Sequence, residues 1–236
     1  MAEASERAKE LAARHAVERY VRPGLRLALG TGTTAAHAVR ALRARYPEEP
    51  FDCVASSRAT EELARSLGLL VREPRRGDRF DLMLDGADEV APNLDLTKGG
   101  GGALLREKLL ARLSRQLVIL VDASKLVPAL GTRVPIPVEV VPFARPILEG
   151  ELHEAGLRPT LRLGRDGRPL LTDNGNELLD LRPSSPVASP ERLHGELKAR
   201  TGVVETGLFV GLAERVVIGE PTGAVRELLG TGRPVG

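Results

Sequence analysis

Between Asp81 and Glu107 the chain concentrates side chains that can move protons and hold negative charge. An apolar run over 80–84 ends in Asp85-Gly86-Ala87-Asp88-Glu89. Lys98 follows, and then Gly99, Gly100, Gly101 and Gly102 lead into a helix-forming segment that carries Glu107. Two carboxylates three residues apart at a strand end can divide proton transfer and hydroxyl recognition between them. A lysine can stabilise negative charge, and a glycine run at a helix N-terminus turns backbone N–H groups toward an anion or a developing oxyanion. This set suits an enzyme acting on a small anionic substrate. Glu107 falls off the helical stripe of Leu105, Leu109 and Leu113, so periodicity alone places it in solvent, with Arg106 and Lys108.

A second cluster lies upstream. Gly30-Thr31-Gly32-Thr33-Thr34 follows an apolar strand and opens a helix, so its N–H groups and threonine hydroxyls can cradle a phosphate at the positive helix end. With Ala35 it also fits the dinucleotide pattern G-x-G-x-x-A. The second strand ends in Ser56-Ser57-Arg58 in place of the acidic residue that pattern expects, and Arg58 leaves an NADP-dependent oxidoreductase as the alternative reading. Among 34 basic residues only Lys9, Lys98, Lys108, Lys125 and Lys198 are lysines. Lys98 and Lys125 both stand beside glycine-rich or strand-end segments, where a compact ammonium has a use.

The elements that must position these groups alternate. Helical spacing over 5–21 gives way to a strand at 25–29, a helix through Arg45, a strand at 51–55 and a helix at 60–67. A short strand is expected at 69–72, and the runs 80–84 and 116–121 are apolar enough for strands covered on both faces. This is the pattern of a doubly wound, mostly parallel α/β sheet, Rossmann-like in class. After Gly131 the texture changes to strand 134–141, helix 143–155, strand 158–163, a strand pair ending near 181, helix 191–200 and strand 203–205. That order, βαββαβ, is a ferredoxin-like α+β unit. Strands at 208–211 and 215–219 and a final helical turn around 224–229 are assigned back to the first domain. The expected domains are therefore 1–130 with 208–236, and an inserted 131–207.

Composition excludes several classes. With 236 residues and 42% hydrophobic content the chain can bury a substantial core. A net charge of +2, with no basic run or aromatic platform, argues against nucleic acid. No segment reaches the roughly 20 apolar residues of a membrane span, and the charged N-terminus does not read as a signal peptide, so a cytoplasmic protein is expected. Cys53 lies in an apolar strand and is read as buried. The four histidines are scattered, and no metal site is expected.

These residues resemble a known family. The segments 30–37, 85–89, 98–103, 106–108 and 122–125 are similar, in order and spacing, to the successive motifs of type A ribose-5-phosphate isomerases, and the resemblance extends over essentially the whole chain. It implies conversion of ribose 5-phosphate to ribulose 5-phosphate through an enediolate, in the non-oxidative pentose phosphate pathway, with no metal or organic cofactor. It implies that Glu107 is the general base, that Asp85 and Asp88 contact sugar hydroxyls with Asp85 assisting ring opening, and that Lys98 with the N–H groups of Gly99, Gly100 and Gly101 stabilises enediolate charge. Gly86 and Ala87 belong to the same binding segment. Thr31, Gly32, Thr33, Thr34 and Lys125 match the phosphate side, and Lys9 matches a further phosphate contact across a one-residue gap. Thr33 stands where the family more often has serine, which keeps the hydroxyl. The only partner implied besides the sugar phosphate is a second copy, as a homodimer or a dimer of dimers. A non-catalytic sugar-phosphate sensor is the third reading, disfavoured because no DNA-recognition helix is visible.

Overall fold

A computed structural model describes residues 2–230, so Met1 and 231–236, the outer ends of the expected first domain, lie outside the described residues. Along the chain, α1 (Ala2–Tyr20) leads to β1 (Arg26–Leu29), α2 (Thr33–Arg45), β2 (Asp52–Ala55) and α3 (Arg58–Ser66). Next come β3 (Phe80–Gly86), the short β4 (Glu89–Val90) and β5 (Leu96–Thr97), then α4 (Leu104–Leu113) and β6 (Ser114–Asp122). They are followed by β7 (Ile136–Val140), α5 (Arg145–Glu154), β8 (Pro159–Leu161), β9 (Glu177–Leu181), α6 (Pro190–Lys198) and β10 (Val203–Thr206). The remaining elements are β11 (Leu208–Phe209), β12 (Arg215–Gly219) and β13 (Val225–Leu229). No described helix is long and apolar enough to cross a membrane.

The chain divides into two compact units. One holds the described residues up to Ala87, Arg106–Lys125 and those from Gly211 on, and the other holds Asp88–Leu105 and Leu126–Val210. The first unit is built on a six-stranded sheet in the order β13-β12-β6-β3-β1-β2, parallel except for β13. From β1 the chain steps outward to β2, then returns to place β3 on the other side of β1. That reversal leaves a crevice beyond the carboxyl ends of β1 and β3, where open α/β sheets bind ligands. The central strands are buried on both faces, as their unbroken apolar runs require. One core cluster joins Ala12, Ala16 and Val17 of α1 with Ala38, Val39 and Leu42 of α2, against Leu27, Leu82 and Val118 of the sheet. Cys53 lies in β2 fully buried, and burial pushes its thiol up to about 12.

The second unit carries a four-stranded antiparallel sheet, order β10-β7-β9-β8, with α5 and α6 completing a βαββαβ unit. Its core sets Ile136, Val138, Val140, Leu179 and Leu181 against Leu148, Leu152 and Leu197. A small three-stranded sheet, β11-β5-β4, completes it.

Three local expectations are corrected. The segment 224–229 is no helical turn: β13 pairs antiparallel with β12 from Arg215↔Leu229 to Gly219↔Val225. A five-residue run is too short to declare a helical period, and the turn before it contains Gly223 at φ 96, which suits a hairpin. The expected strand at 69–72 is reduced to a single bridge, Cys53↔Val71. Leu208 and Phe209 pair with Thr97 and Leu96 in the small sheet, not in the six-stranded one.

Candidate active site

In the first unit the relevant groups gather at the carboxyl ends of neighbouring parallel strands. β1 and β3 are in register at Leu29↔Leu84, so the loop after β1 lies beside Asp85. The Thr31 amide donates to Asp85 Oδ1 at 3.1 Å, and the Gly86 amide donates to the same oxygen at 2.8 Å. Asp85 is fully buried. Gly30 is required for space: a Cβ there would fall 2.1 Å from Asp85 Oδ1. Gly32 is required for conformation, at φ 98.

Gly32 is also the N-cap of α2, and no side chain caps that helix. The first N–H groups of a 13-residue helix therefore face the loop end with a positive dipole. Thr31 shares a hydrogen bond with Ser56 at 2.7 Å, Thr60 donates to the Gly30 carbonyl at 2.9 Å, and Ser57 caps α3. The loop is thus held from β2 and α3. Lys9 of α1 reaches Thr33 Oγ1 at 3.4 Å while paired with Glu6 at 2.6 Å, which puts an ammonium at the N-terminus of α2.

Lys125 closes a 3-10 turn, Ala123–Lys125, that follows β6. Asp122 organises that turn by accepting the Ser124 amide at 2.8 Å, and Ser5 of α1 donates to it at 3.0 Å. Burial acts to raise the Asp122 carboxyl, but the Ser124 and Ser5 hydrogen bonds and the Lys125 charge outweigh it and hold the group below its ordinary value. Asp122 has a local signal in the sequence, the Asp-x-Ser spacing of an Asx turn, but that spacing alone marks a turn and no site.

Glu107 overturns its wheel position. It lies in the first turn of α4 at 3% exposure, whereas Leu109 is 49% exposed. The buried residues of α4 are Leu104, Glu107, Lys108, Leu110 and Ala111, so two charged residues share the i, i+3, i+4, i+7 stripe of Leu104 and Ala111. Lys108, expected in solvent, is buried as well. Burying such groups is costly unless other interactions compensate, so this face is not explained by packing alone.

In the second unit the β4–β5 hairpin positions Lys98 and Asp88. The Asp88 amide donates to the Thr97 carbonyl at 2.8 Å, and the Lys98 amide to the Gly207 carbonyl at 2.8 Å. Lys98 is 3% exposed, with Nζ 5.4 Å from the centre of the Phe209 ring. The Asp88 carboxylate accepts the Gly100 amide at 2.8 Å. Gly99 needs its positive φ of 98, and a Cβ there would also meet Leu104 at 3.0 Å. Fully buried Glu89 ties the hairpin to the start of β7 by accepting the amides of Gly131, Arg133 and Val134 at 2.7, 2.6 and 3.1 Å. Gly101 and Gly102 complete the turn before α4, and Ala87 is the last residue of the first unit before Asp88.

Among the described residues no group of three or more His, Cys, Asp or Glu is placed to hold a metal ion. Three histidines sit beside other partners: His15 with Glu227, His37 with Glu6 and His194 with Thr206.

A strand-order reversal, an uncapped helix start and buried carboxylates at strand ends are the features with which an open α/β fold can hold a small anionic ligand. Residues 52–223 match the family model of ribose 5-phosphate isomerase A (phosphoriboisomerase A). The ribose-5-phosphate isomerase A of Thermomicrobium roseum is 48% identical over 93% of this chain and 92% of its own, and that of Chloroflexus aurantiacus is 44% identical over the same shares. Among solved structures, ribose 5-phosphate isomerase A of Methanocaldococcus jannaschii superposes with a TM-score of 0.87 at 36% identity, covering 94% of this chain and 98% of that one. A D-ribose-5-phosphate isomerase in complex with phospho-erythronic acid gives 0.89 at 33% identity, covering 95% and 99%. The chain belongs to the ribose-5-phosphate isomerase A family and is an isomerase, which removes the oxidoreductase and sensor readings.

Proposed function

We propose that the chain interconverts D-ribose 5-phosphate and D-ribulose 5-phosphate through an enediolate, as a cytoplasmic enzyme of the non-oxidative pentose phosphate pathway. The observation that carries the mechanism is Glu107, a carboxylate at 3% exposure on a helix whose leucines could have filled the same face. Shielded from water, it can take the proton from C2 and return it to C1 without losing it to solvent. Asp85, held by two amides, assists ring opening, and Asp88 contacts sugar hydroxyls with Gly86 and Ala87 in the same binding segment.

Lys98 and the N–H groups of Gly99, Gly100 and Gly101 stabilise the charge that builds on the enediolate oxygens. Thr31, Gly32, Thr33, Thr34 and Lys125 take the phosphate at the uncapped start of α2, with Lys9 adding charge beside Thr33. The solved relative bound to phospho-erythronic acid supports this reading, since a phosphorylated sugar acid carries both a phosphate and a carboxylate that imitates enediolate charge. None of these roles calls on a metal or an organic cofactor, and the working form is a homodimer or a dimer of dimers.

The test is direct. Purified protein incubated with ribose 5-phosphate and EDTA should produce ribulose 5-phosphate at the same rate as without chelator. Loss of activity on chelation, restored by a metal, would overturn the cofactor-free mechanism, and absence of product under all conditions would overturn the activity.

A further inference from the structure

The glycine turn of the second unit is anchored by a residue that no motif marks. Arg162, just after β8, donates from one terminal nitrogen to two successive carbonyls, Gly99 O at 2.8 Å and Gly100 O at 3.0 Å. Its other edge is a fork: Nε lies 2.9 Å from Asp180 Oδ2 and the second terminal nitrogen 2.5 Å from Asp180 Oδ1. Asp180 is on β9, the strand paired with β8, at the position opposite Thr160. The Arg162 side chain is only 15% exposed, so a long cation has been ordered and largely desolvated to make these contacts. An arginine needed only for an ion pair with Asp180 would not have to reach two glycine carbonyls.

The consequence follows from peptide geometry. In a trans peptide the C=O and the next N–H point in opposite directions, and the described chain has no cis peptide. Drawing Gly99 O toward Arg162 turns the Gly100 N–H away from it, and that N–H is the one donated to Asp88 at 2.8 Å. Drawing Gly100 O the same way turns the Gly101 N–H to the side opposite Arg162. The guanidinium also polarises both peptides, strengthening the N–H groups as donors. Glycine offers no side chain to hold such a turn: the Gly102 amide closes it on Gly99 O at 3.0 Å, and Arg162 adds the side-chain hold from outside.

We propose that Arg162, fixed by Asp180, is a positioning residue for the isomerase reaction: it aims the Gly100 N–H at Asp88 and the Gly101 N–H at the charge developing on the enediolate. This rests on the reading of the glycine turn as the charge-stabilising element.

The experiment compares Arg162→Ala, Arg162→Lys and Asp180→Asn with the parent enzyme, with Glu107→Gln run in parallel. Measured are kcat and KM for ribose 5-phosphate, the inhibition constant of phospho-erythronic acid, and thermal melts. Arg162→Ala should lower kcat roughly 10- to 100-fold and weaken the inhibitor by a similar factor, with KM changed less than about threefold, because the aimed N–H groups act on charge present only late in the reaction. Added guanidinium should recover activity in Arg162→Ala but not in Arg162→Lys, whose single ammonium cannot make the fork and the two carbonyl contacts together. Asp180→Asn keeps the arginine and should show the same pattern in weaker form, which preserves the test if Arg162→Ala does not fold.

Full kcat and full inhibitor affinity in a folded Arg162→Ala overturn the proposal. So does a loss of kcat, KM and melting temperature together with no recovery by guanidinium, which is the signature of a structural ion pair. An active parent with an inactive Glu107→Gln and an unaffected Arg162→Ala rejects this inference alone. A fully active Glu107→Gln rejects the general-base assignment and leaves the Arg162 comparison to be judged on its own readouts.

Discussion

Glu107 reaches the interior because α4 turns Leu104, Glu107, Lys108, Leu110 and Ala111 inward and leaves Leu109 half in solvent. Leucine spacing alone pointed the other way, since a helix with apolar residues at 104, 105, 109, 110 and 113 offers several equally plausible stripes. The family motif was the only signal in the sequence that could select the right one. If Glu107 moves the proton, Glu107→Gln should lower kcat by about 10²-fold or more with KM little changed. Exchange of the C2 proton with deuterated solvent should fall with turnover while the thermal melt stays near that of the parent; a folded variant with near-parental turnover returns Glu107 to a structural role. The turn that carries Lys125 has a local signal by contrast, the Asp-x-Ser spacing of Asp122-Ala123-Ser124. If Lys125 contacts the phosphate, Lys125→Ala should cost on the order of 1.5–3 kcal/mol in kcat/KM. Kinetics of Lys125→Ala on ribose 5-phosphate give this value, and unchanged kcat/KM removes Lys125 from the phosphate side.

The turn between β1 and α2 separates two demands on glycine. Gly30 must be small because Asp85 occupies the place of its Cβ, whereas Gly32 must adopt φ 98 to present the uncapped helix start. Gly24, at φ 81 with nothing within 4 Å of a built Cβ, has only the second kind of constraint and lies at a turn before β1. Gly30→Ala should therefore displace the Asp85 carboxylate from the Thr31 and Gly86 amides and reduce kcat/KM by roughly 10²-fold. Gly24→Ala should keep parental activity and lose about 1–2 kcal/mol of stability from backbone strain alone. Parallel assays and denaturant titrations of the two variants distinguish these outcomes; equal activity in both would mean that Asp85 tolerates the shift and is not held for chemistry. The other elements were legible in proportion to their length and apolar continuity. β3 and β6 declared themselves as runs buried on both faces, while β4, β5 and β11, at two residues each, carry no period to read. The pairing of Leu208 and Phe209 with β5 is set by contacts more than a hundred residues apart in the chain, for which a local pattern holds no signal.

At the scale of the molecule, alternation of strand and helix announced the doubly wound sheet, and the change of texture after Gly131 announced an antiparallel unit. The assignment of residues 88–105 to the second unit was not legible, because the segment leaves and re-enters a continuous βα pattern and only spatial contacts reveal where it packs. The same holds for the charge network that ties the loop before β3 to β2. Arg72 grips Asp78 through contacts of 2.8 and 2.9 Å and Asp52 through contacts of 2.6 and 2.9 Å, joining residues too far apart for a local charge pattern. The Arg72 hydrogen bonds, followed by that of the Arg75 amide, hold Asp78 at about 2, below its ordinary 3.8. A depressed carboxyl favours the folded state when ionised, so this stabilisation is fully present above the ordinary value and is lost as pH falls from about 4 through about 2. Asp78→Asn removes the charge at every pH. The parent should therefore melt above the variant near neutral pH by a constant margin, and the two melting curves should converge as pH falls through that window. Thermal melts of both proteins across the acid range check this. A margin that persists unchanged below the window would mean that Asp78 contributes through shape and neutral hydrogen bonding, with its charge making no difference to the fold.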